Sequence, residues 1–216
     1  MIEIETRGIL FDCDGVLVDS LESAGRAWNI WSTTWAPQFD FHRDIVHGQR
    51  AGETIAQLVD AEAFAVAEAE LAQLELDHVD GTRAIPGAVA LTASLTPGAW
   101  TVVTSGLRAL AERRLAAAGI ARPAAYVAAE DVANGKPDPE PYRRGAELLG
   151  LDPAYCVVFE DAPAGIAAAR AAGVPFVIGV GPDSAVGNPN VIVDDLRSVS
   201  WVDGRLRIEP SAGSAR

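Results

Sequence analysis

Lysine is nearly missing from this chain: among its 216 residues Lys136 stands alone beside sixteen arginines. Cysteine is scarce too. Cys13 and Cys156 are the only two, and their separation suits no paired metal-ligand motif. Both sit in or beside apolar runs, so buried free thiols in a reducing cytoplasm are expected. The three histidines (His42, His47 and His78) form no HxH or HxxxH pair, which leaves a zinc site without support. No apolar run approaches the roughly 18 residues that a membrane-spanning helix needs. The segment from Met1 to Arg7 is charged and lacks the basic, apolar and small-residue succession of a secretory leader. Positive charge is outnumbered: 17 Lys and Arg face 30 Asp and Glu, a net charge of −13. Nucleic acid and anionic membrane would both repel such a chain, so neither is an expected partner.

What remains is ordinary globular composition, with 49% hydrophobic and 22% charged residues. The length suits one domain, or one domain with an insertion, and can bury a core without disulfides. Gly8 to Phe11 is a short apolar run ending at Asp12, the signature of a buried parallel strand. From Leu17 to about Arg83 the pattern is helical and no strand signal interrupts it. Trp28, Trp31 and Trp35 share one helix face, as do Phe64, Ala67, Leu71, Leu74 and His78 further on. The tryptophan stripe reads as core packing rather than a pocket wall. From Ile85 onward strands and helices alternate. Strands are expected over 100–104, 126–128, 156–159, 176–180 and 191–193. Helices are expected over 107–118, 139–149 and 164–172, with Asp138 as an N-cap. The tail from Glu209 to Arg216 is small and polar and is expected to fray.

Such alternation implies an α/β fold, a Rossmann-like parallel sheet covered by helices on both faces. The expected organisation is a core of residues 1–16 and 85–216, with a small helical cap of residues 17–84 inserted after the first strand. In open α/β sheets ligands bind at the carboxyl ends of the strands, so the insertion lies over the expected site.

Acids and hydroxyls recur at those strand ends: Asp12 and Asp14, then Thr104, Ser105 and Gly106, then Glu160 and Asp161. Lys136 sits in a loop between Gly135 and Pro137. Several carboxylates at one point repel unless a divalent cation neutralises them, and oxygen-only ligands favour Mg²⁺. A lysine, a hydroxyl and free backbone N–H groups beside that metal make a phosphate site. One carboxylate can then attack phosphorus, and a second two residues on can serve as general acid and base.

The run from Asp12 to Ser20, Asp-Cys-Asp-Gly-Val-Leu-Val-Asp-Ser, resembles the first motif of the haloacid dehalogenase superfamily in its phosphatase form. Thr104 resembles the second motif, Lys136 in Gly-Lys-Pro-Asp the third, and Glu160-Asp161 the fourth. Asp131, Asp138, Pro139, the run from Phe159 to Ile166 and the stretch from Asp80 to Gly87 resemble the subgroup of small sugar-phosphate and polyol-phosphate phosphatases. The resemblance implies that Asp12 is the nucleophile, forming a phosphoaspartate, and that Asp14 is the acid and then the base. It implies that Thr104, Ser105, Gly106 and Lys136 bind phosphate, with Lys136 also orienting Asp12. Mg²⁺ would be held by Asp12, the Asp14 carbonyl and Asp161, with Glu160 behind them. Arg50 and Glu53 fall where related caps carry a substrate-selecting loop, although exposed charges of this kind are ordinarily just solvated.

Dehalogenases lack the aspartate that Asp14 matches. Phosphonatases need a cap lysine, and residues 17–84 contain none. β-Phosphoglucomutase-like enzymes carry a histidine where this chain has Ala24, and a Lys-Asn pair where it has Gly106-Leu107. The expectation is therefore a Mg²⁺-dependent phosphatase of small sugar or polyol phosphates, acting on a small phosphorylated metabolite as a monomer or weak dimer. A sugar phosphomutase is the alternative, and a phosphosugar-binding module without turnover comes third.

Overall fold

The computed structural model describes residues 1–202 and 204–209. The expected fraying of the tail concerns residues that, after Glu209, lie outside that range. The chain opens with β1 (Ile2–Glu5) and β2 (Gly8–Phe11), and then a two-residue strand, β3 (Val18–Asp19). Four helices follow: α1 (Leu21–Trp35), α2 (Phe41–Asp44), α3 (Ala51–Leu58) and α4 (Phe64–Asp77). After β4 (Arg83–Ala84) come α5 (Ala88–Ser94), β5 (Trp100–Val102), α6 (Arg108–Ala117) and α7 (Glu140–Leu148). The chain continues with β6 (Cys156–Glu160), α8 (Pro163–Ala171), β7 (Phe176–Val180) and β8 (Val191–Val193). It closes on β9 (Val199–Val202) and β10 (Arg205–Ile208).

Five strands form a parallel sheet in the order β5-β2-β6-β7-β8. Their side chains alternate between the two faces, as the pleat requires. Ile9, Phe11, Val157, Phe159 and Ile178 bury against Leu91 of α5 and Leu115 of α6. Leu10, Val158 and Val177 bury on the other face against Tyr142 and Ala146 of α7 and Ile166 of α8. Because the central strands are covered on both sides, their runs read as continuously apolar, which made them visible in sequence.

Four local expectations are corrected. Residues 126–128 make only one bridge, Val103 to Val127. Beyond it the Ala129 N–H turns to the Gly106 carbonyl and the chain enters a 3-10 turn over Ala129–Asp131. The two ends of the helical block are short strands, β3 pairing antiparallel with β4 (Val18 with Ala84, Asp19 with Arg83). Two residues per strand are too few to set up a periodic signal. Two further strands follow β8: β1, β10 and β9 form an antiparallel sheet, and Leu206, Ile208 and Val199 pack into the cluster around Phe11. Finally, the N-cap of α7 is Pro139 rather than Asp138, although the Asp138 carboxylate still accepts the Glu140 N–H at 2.8 Å.

The helices between β3 and β4 own a separate core of Trp28, Trp31, Phe39, Phe41, Ile55, Ala67 and Leu71. Trp31 is fully buried and its indole N–H donates to the Ala67 carbonyl at 2.8 Å, so the tryptophan stripe is packing. Both cysteines are buried and free, as expected.

Gly145 on α7 shows how closely that helix lies on the sheet. A Cβ there would fall 2.6 Å from Cγ2 of Val103. Alanine gains about 1 kcal/mol in helix preference, while overpacking of this kind costs about 1–3 kcal/mol. Gly145→Ala is therefore expected to destabilise, lowering the urea midpoint at unchanged m-value; an increased midpoint would mean that α7 shifts freely.

Candidate active site

Parallel pairing sets β2, β5 and β6 side by side, so the residues that follow them emerge at one edge. Asp12 leaves β2 with its N–H bonded to the Phe159 carbonyl of β6. The loop before α7 delivers Lys136 to the same point. Its side chain is wholly buried, and its three N–H groups meet three acceptors. Nζ lies 2.5 Å from Asp12 Oδ1, 2.7 Å from Glu160 Oε1 and 3.0 Å from the Val103 carbonyl. The Tyr142 hydroxyl also donates to Glu160 Oε1, at 2.8 Å, and the Ala162 N–H donates to Oε2 at 3.0 Å. Glu160, not Asp161, thus satisfies the turn before α8, because its side chain folds inward over that N–H.

Asp161 closes the group. One oxygen each from Asp12, Glu160 and Asp161 lie within 4.8 Å of one another. Two glycines make this crowding possible. A Cβ on Gly15, whose φ is +79°, would fall 2.1 Å from Asp161 Oδ2. A Cβ on Gly165 would fall 1.6 Å from Glu160 Oε1.

Burial pushes the Asp12 carboxyl up to about 7, against the pull of Lys136 and with the help of Glu160. Burial also raises Asp161 well above the carboxylate range, and Glu160 and Asp12 add to it. Burial works against the Lys136 ammonium, but Asp12 and Glu160 outweigh it and hold its pKa above the usual lysine range. Cys13, buried between two acids, is driven far up and is inert as a thiolate.

The other expected residues stand around this centre. Thr104 is buried, and its hydroxyl oxygen accepts the Gly106 N–H at 3.0 Å. The Ser105 hydroxyl donates to the Gly48 carbonyl at 2.6 Å, so it faces the helical unit. Asp14 is turned the same way: Oδ1 accepts from the Ser20 hydroxyl at 2.5 Å and from Arg114 at 3.0 Å. Arg50, just before α3, donates to the carbonyls of Val132 and Ala133 at 2.8 and 3.1 Å. Glu53 lines a cavity of about 570 Å³ with Ala133, Asn134, Gly135 and Pro137. Arg50 and Glu53 therefore meet the loop that carries Lys136, at Gly135, where a Cβ would lie 2.9 Å from Arg50 Nε.

The model of the haloacid dehalogenase-like hydrolases matches residues 6–173. The chain belongs to that family. It is 40% identical to hexitol phosphatase A of Escherichia coli over 77% of this chain and 80% of that protein. It is 35% identical to glycerol-1-phosphate phosphohydrolase 2 of Saccharomyces cerevisiae over 82% of this chain and 75% of the other. Its fold is shared with a β-phosphoglucomutase from Clostridium difficile, at a TM-score of 0.76 and 22% identity over 88% of this chain and 92% of that one.

As a haloacid dehalogenase-like hydrolase the chain would use a bound cation, and the donor set fits one. Asp12, Glu160 and Asp161 offer only oxygen, and their three carboxylates face the single ammonium of Lys136. When all are ionised two negative charges stand in excess, which is the deficit a hard divalent cation fills.

Three groups at the site have no counterpart in the sequence reading: Tyr142, Ser20 and Arg114. Ser20 lies within the first motif but carries no signal of its own. Tyr142 and Arg114 could have been found by register. Both fall at buried positions of their helices, α7 and α6, where a polar group needs a partner.

Two outcomes follow from this packing and charge. Gly165→Ala should displace the Glu160 carboxylate and cut kcat by about tenfold or more, the scale of a misplaced active-site group, despite alanine's better helix propensity; wild-type kcat would show that Glu160 relaxes without consequence. The raised Asp12 carboxyl binds its proton more tightly folded than unfolded. Its contribution to metal-free stability is therefore present below about pH 4 and lost as pH rises through about 7. A divalent cation needs the ionised form, so added magnesium chloride should raise Tm more at pH 8 than at pH 5.5, by differential scanning fluorimetry. An equal or opposite difference would contradict the charge balance.

Proposed function

We propose that this hydrolase is a Mg²⁺-dependent phosphatase of small sugar or polyol phosphate monoesters, working through a phosphoaspartate. The observation that carries the reading is the buried Lys136 ammonium, shared between Asp12 and Glu160 beside Asp161. The names of the relatives, a hexitol phosphatase and a glycerol-1-phosphate phosphohydrolase, support the substrate class.

In this reading residues 1–16 and 85–216 are the catalytic core, and 17–84 are a cap hinged at β3 and β4. Asp12, the Asp14 carbonyl and Asp161, with Glu160 behind them, would hold Mg²⁺, which when bound would supply charge neutralisation at the phosphoryl oxygens. Asp12 attacks phosphorus as the ester bond breaks, and Asp14 gives its proton to the departing alcohol. Asp14 then takes a proton from water as that water attacks the acylphosphate, freeing inorganic phosphate and restoring Asp12. Lys136 orients Asp12 and, with Thr104, Ser105 and Gly106, binds the phosphoryl oxygens. Such transfer is mostly positioning and charge neutralisation. Arg50 and Glu53 help select the ester from the cap side. A cap seated on the core at Gly48 and Arg50 suits small esters rather than phosphoproteins. The two buried thiols fit a cytoplasmic protein.

A sugar phosphomutase is the second reading, favoured by the fold shared with β-phosphoglucomutase. Ala24 and Gly106-Leu107 stand where mutases resembling this chain carry histidine and Lys-Asn. Hexose 1-phosphate should release inorganic phosphate stoichiometrically, detected with molybdate; conversion to the 6-phosphate without release would establish the mutase. Asp12→Asn should lower kcat by several orders of magnitude while leaving Tm near or above that of the wild type, and turnover close to wild type would exclude covalent catalysis.

A further inference from the structure

The buried side of α6 carries Leu110, Ala111 and Leu115, and among these apolar residues one charged side chain, Arg114, turned toward α4 and Asp14. Its neighbour Arg113 is exposed, as surface arginines are, whereas Arg114 is only 5% exposed. An arginine at a core position has to be desolvated, and this one is left with Nε buried and unpartnered. Sequences break the apolar pattern in this way chiefly where function demands it.

Its other nitrogens span two units of the molecule. One lies 3.0 Å from Asp14 Oδ1 and another 3.2 Å from Glu75 Oε1. Glu75 belongs to α4 in the helical unit. It falls one turn after buried Leu71, and its side chain is 11% exposed. Lys136 is turned to Asp12, Glu160 and Val103, and among the described residues Arg114 is the cation paired with Asp14. Arg114 and Ser20 both contact Oδ1, which leaves Oδ2 for a proton in transit.

We propose that Arg114 is a positioning residue that aims the Asp14 carboxylate at the departing alcohol, and that Glu75 holds Arg114 in place only while α4 is seated on α6. The inference rests on the reading of Asp14 as acid and base. Proton delivery is thereby tied to the seating of the helical unit: with α4 displaced, the guanidinium loses its second anchor and Asp14 its fixed direction.

The test compares two esters. A polyol phosphate has a poor alkoxide leaving group that needs the proton, whereas 4-nitrophenyl phosphate has a phenolate that does not. The ratio of their kcat/KM values isolates protonation in the first half-reaction. In Arg114→Gln the polyol-to-aryl ratio should fall on the order of 10- to 100-fold, the scale of a misaligned acid. Glu75→Gln, which spares the core of α6, should lower it in the same direction by a smaller factor. Arg114→Lys should recover part of the loss, since an ammonium reaches one carboxylate but does not span both. Equal losses on both esters, or none, in Arg114→Gln and Glu75→Gln would overturn the proposal. Asp14→Asn separates the two levels. If it lowers the ratio while the Arg114 and Glu75 variants do not, the positioning role alone fails. If it leaves the ratio unchanged, the role given to Asp14 fails and the proposal with it.

Discussion

A lysine ammonium held entirely out of water organises this protein. Burying such a charge alone would cost several kcal/mol or more, and the cost is offset only by complete pairing. Lys136 meets that condition with one acceptor from each of three segments: Asp12 after β2, Val103 after β5 and Glu160 at the end of β6. Three adjacent strands are therefore pinned at their carboxyl ends by one atom. The pinning is mutual, because without the ammonium Asp12 and Glu160 would be like charges in a desolvated space. Tyr142 extends the arrangement to α7 through Glu160, so the helix that follows the lysine loop is tied to the strand that the lysine contacts.

Drawing acids so close together sets a steric demand that the glycines meet. Gly15 occupies a left-handed turn, and its missing side chain is the space where the Asp161 carboxylate sits. Gly165 opens the first turn of α8 to Glu160 in the same way. Helix preference would favour alanine at residue 165 by about 1 kcal/mol, a sum smaller than the penalty of displacing a buried, hydrogen-bonded carboxylate. Electrostatics thus decides the composition of the loops as well as the acids and the lysine they carry.

The parallel sheet was legible because its central strands are buried on both faces and read as apolar runs, from Gly8–Phe11 to residues 156–159. The antiparallel sheet was not read, because Ile2-Glu3-Ile4-Glu5 and Arg205-Leu206-Arg207-Ile208 alternate apolar with charged residues and show no apolar run. β3 and β4 carry too few residues to signal anything alone. At the site, Asp12, Glu160 and Asp161 were readable from residue type and position at strand ends, and Lys136 from the motif its loop resembles; the structure gathers all four. What stayed hidden was direction. Nothing in sequence tells that Asp14 and Ser105 turn toward the helical unit, or that Glu160 rather than Asp161 folds back on the Ala162 N–H.

The choice between lysine and arginine follows the shape of each task. At residue 136 the acceptors converge on one point from three directions, which suits a compact ammonium with three donors and excludes a planar fork. At residues 50 and 114 the partners are separate: two successive carbonyls for Arg50, and carboxylates from two different units for Arg114. A guanidinium spans such pairs because its donors diverge from a rigid plane. Both arginines sit where the helical unit meets the sheet core, and the one lysine sits inside the core. A chain with sixteen arginines and one lysine has therefore placed its single point charge where only a point charge fits, and uses the fork where two surfaces have to be joined.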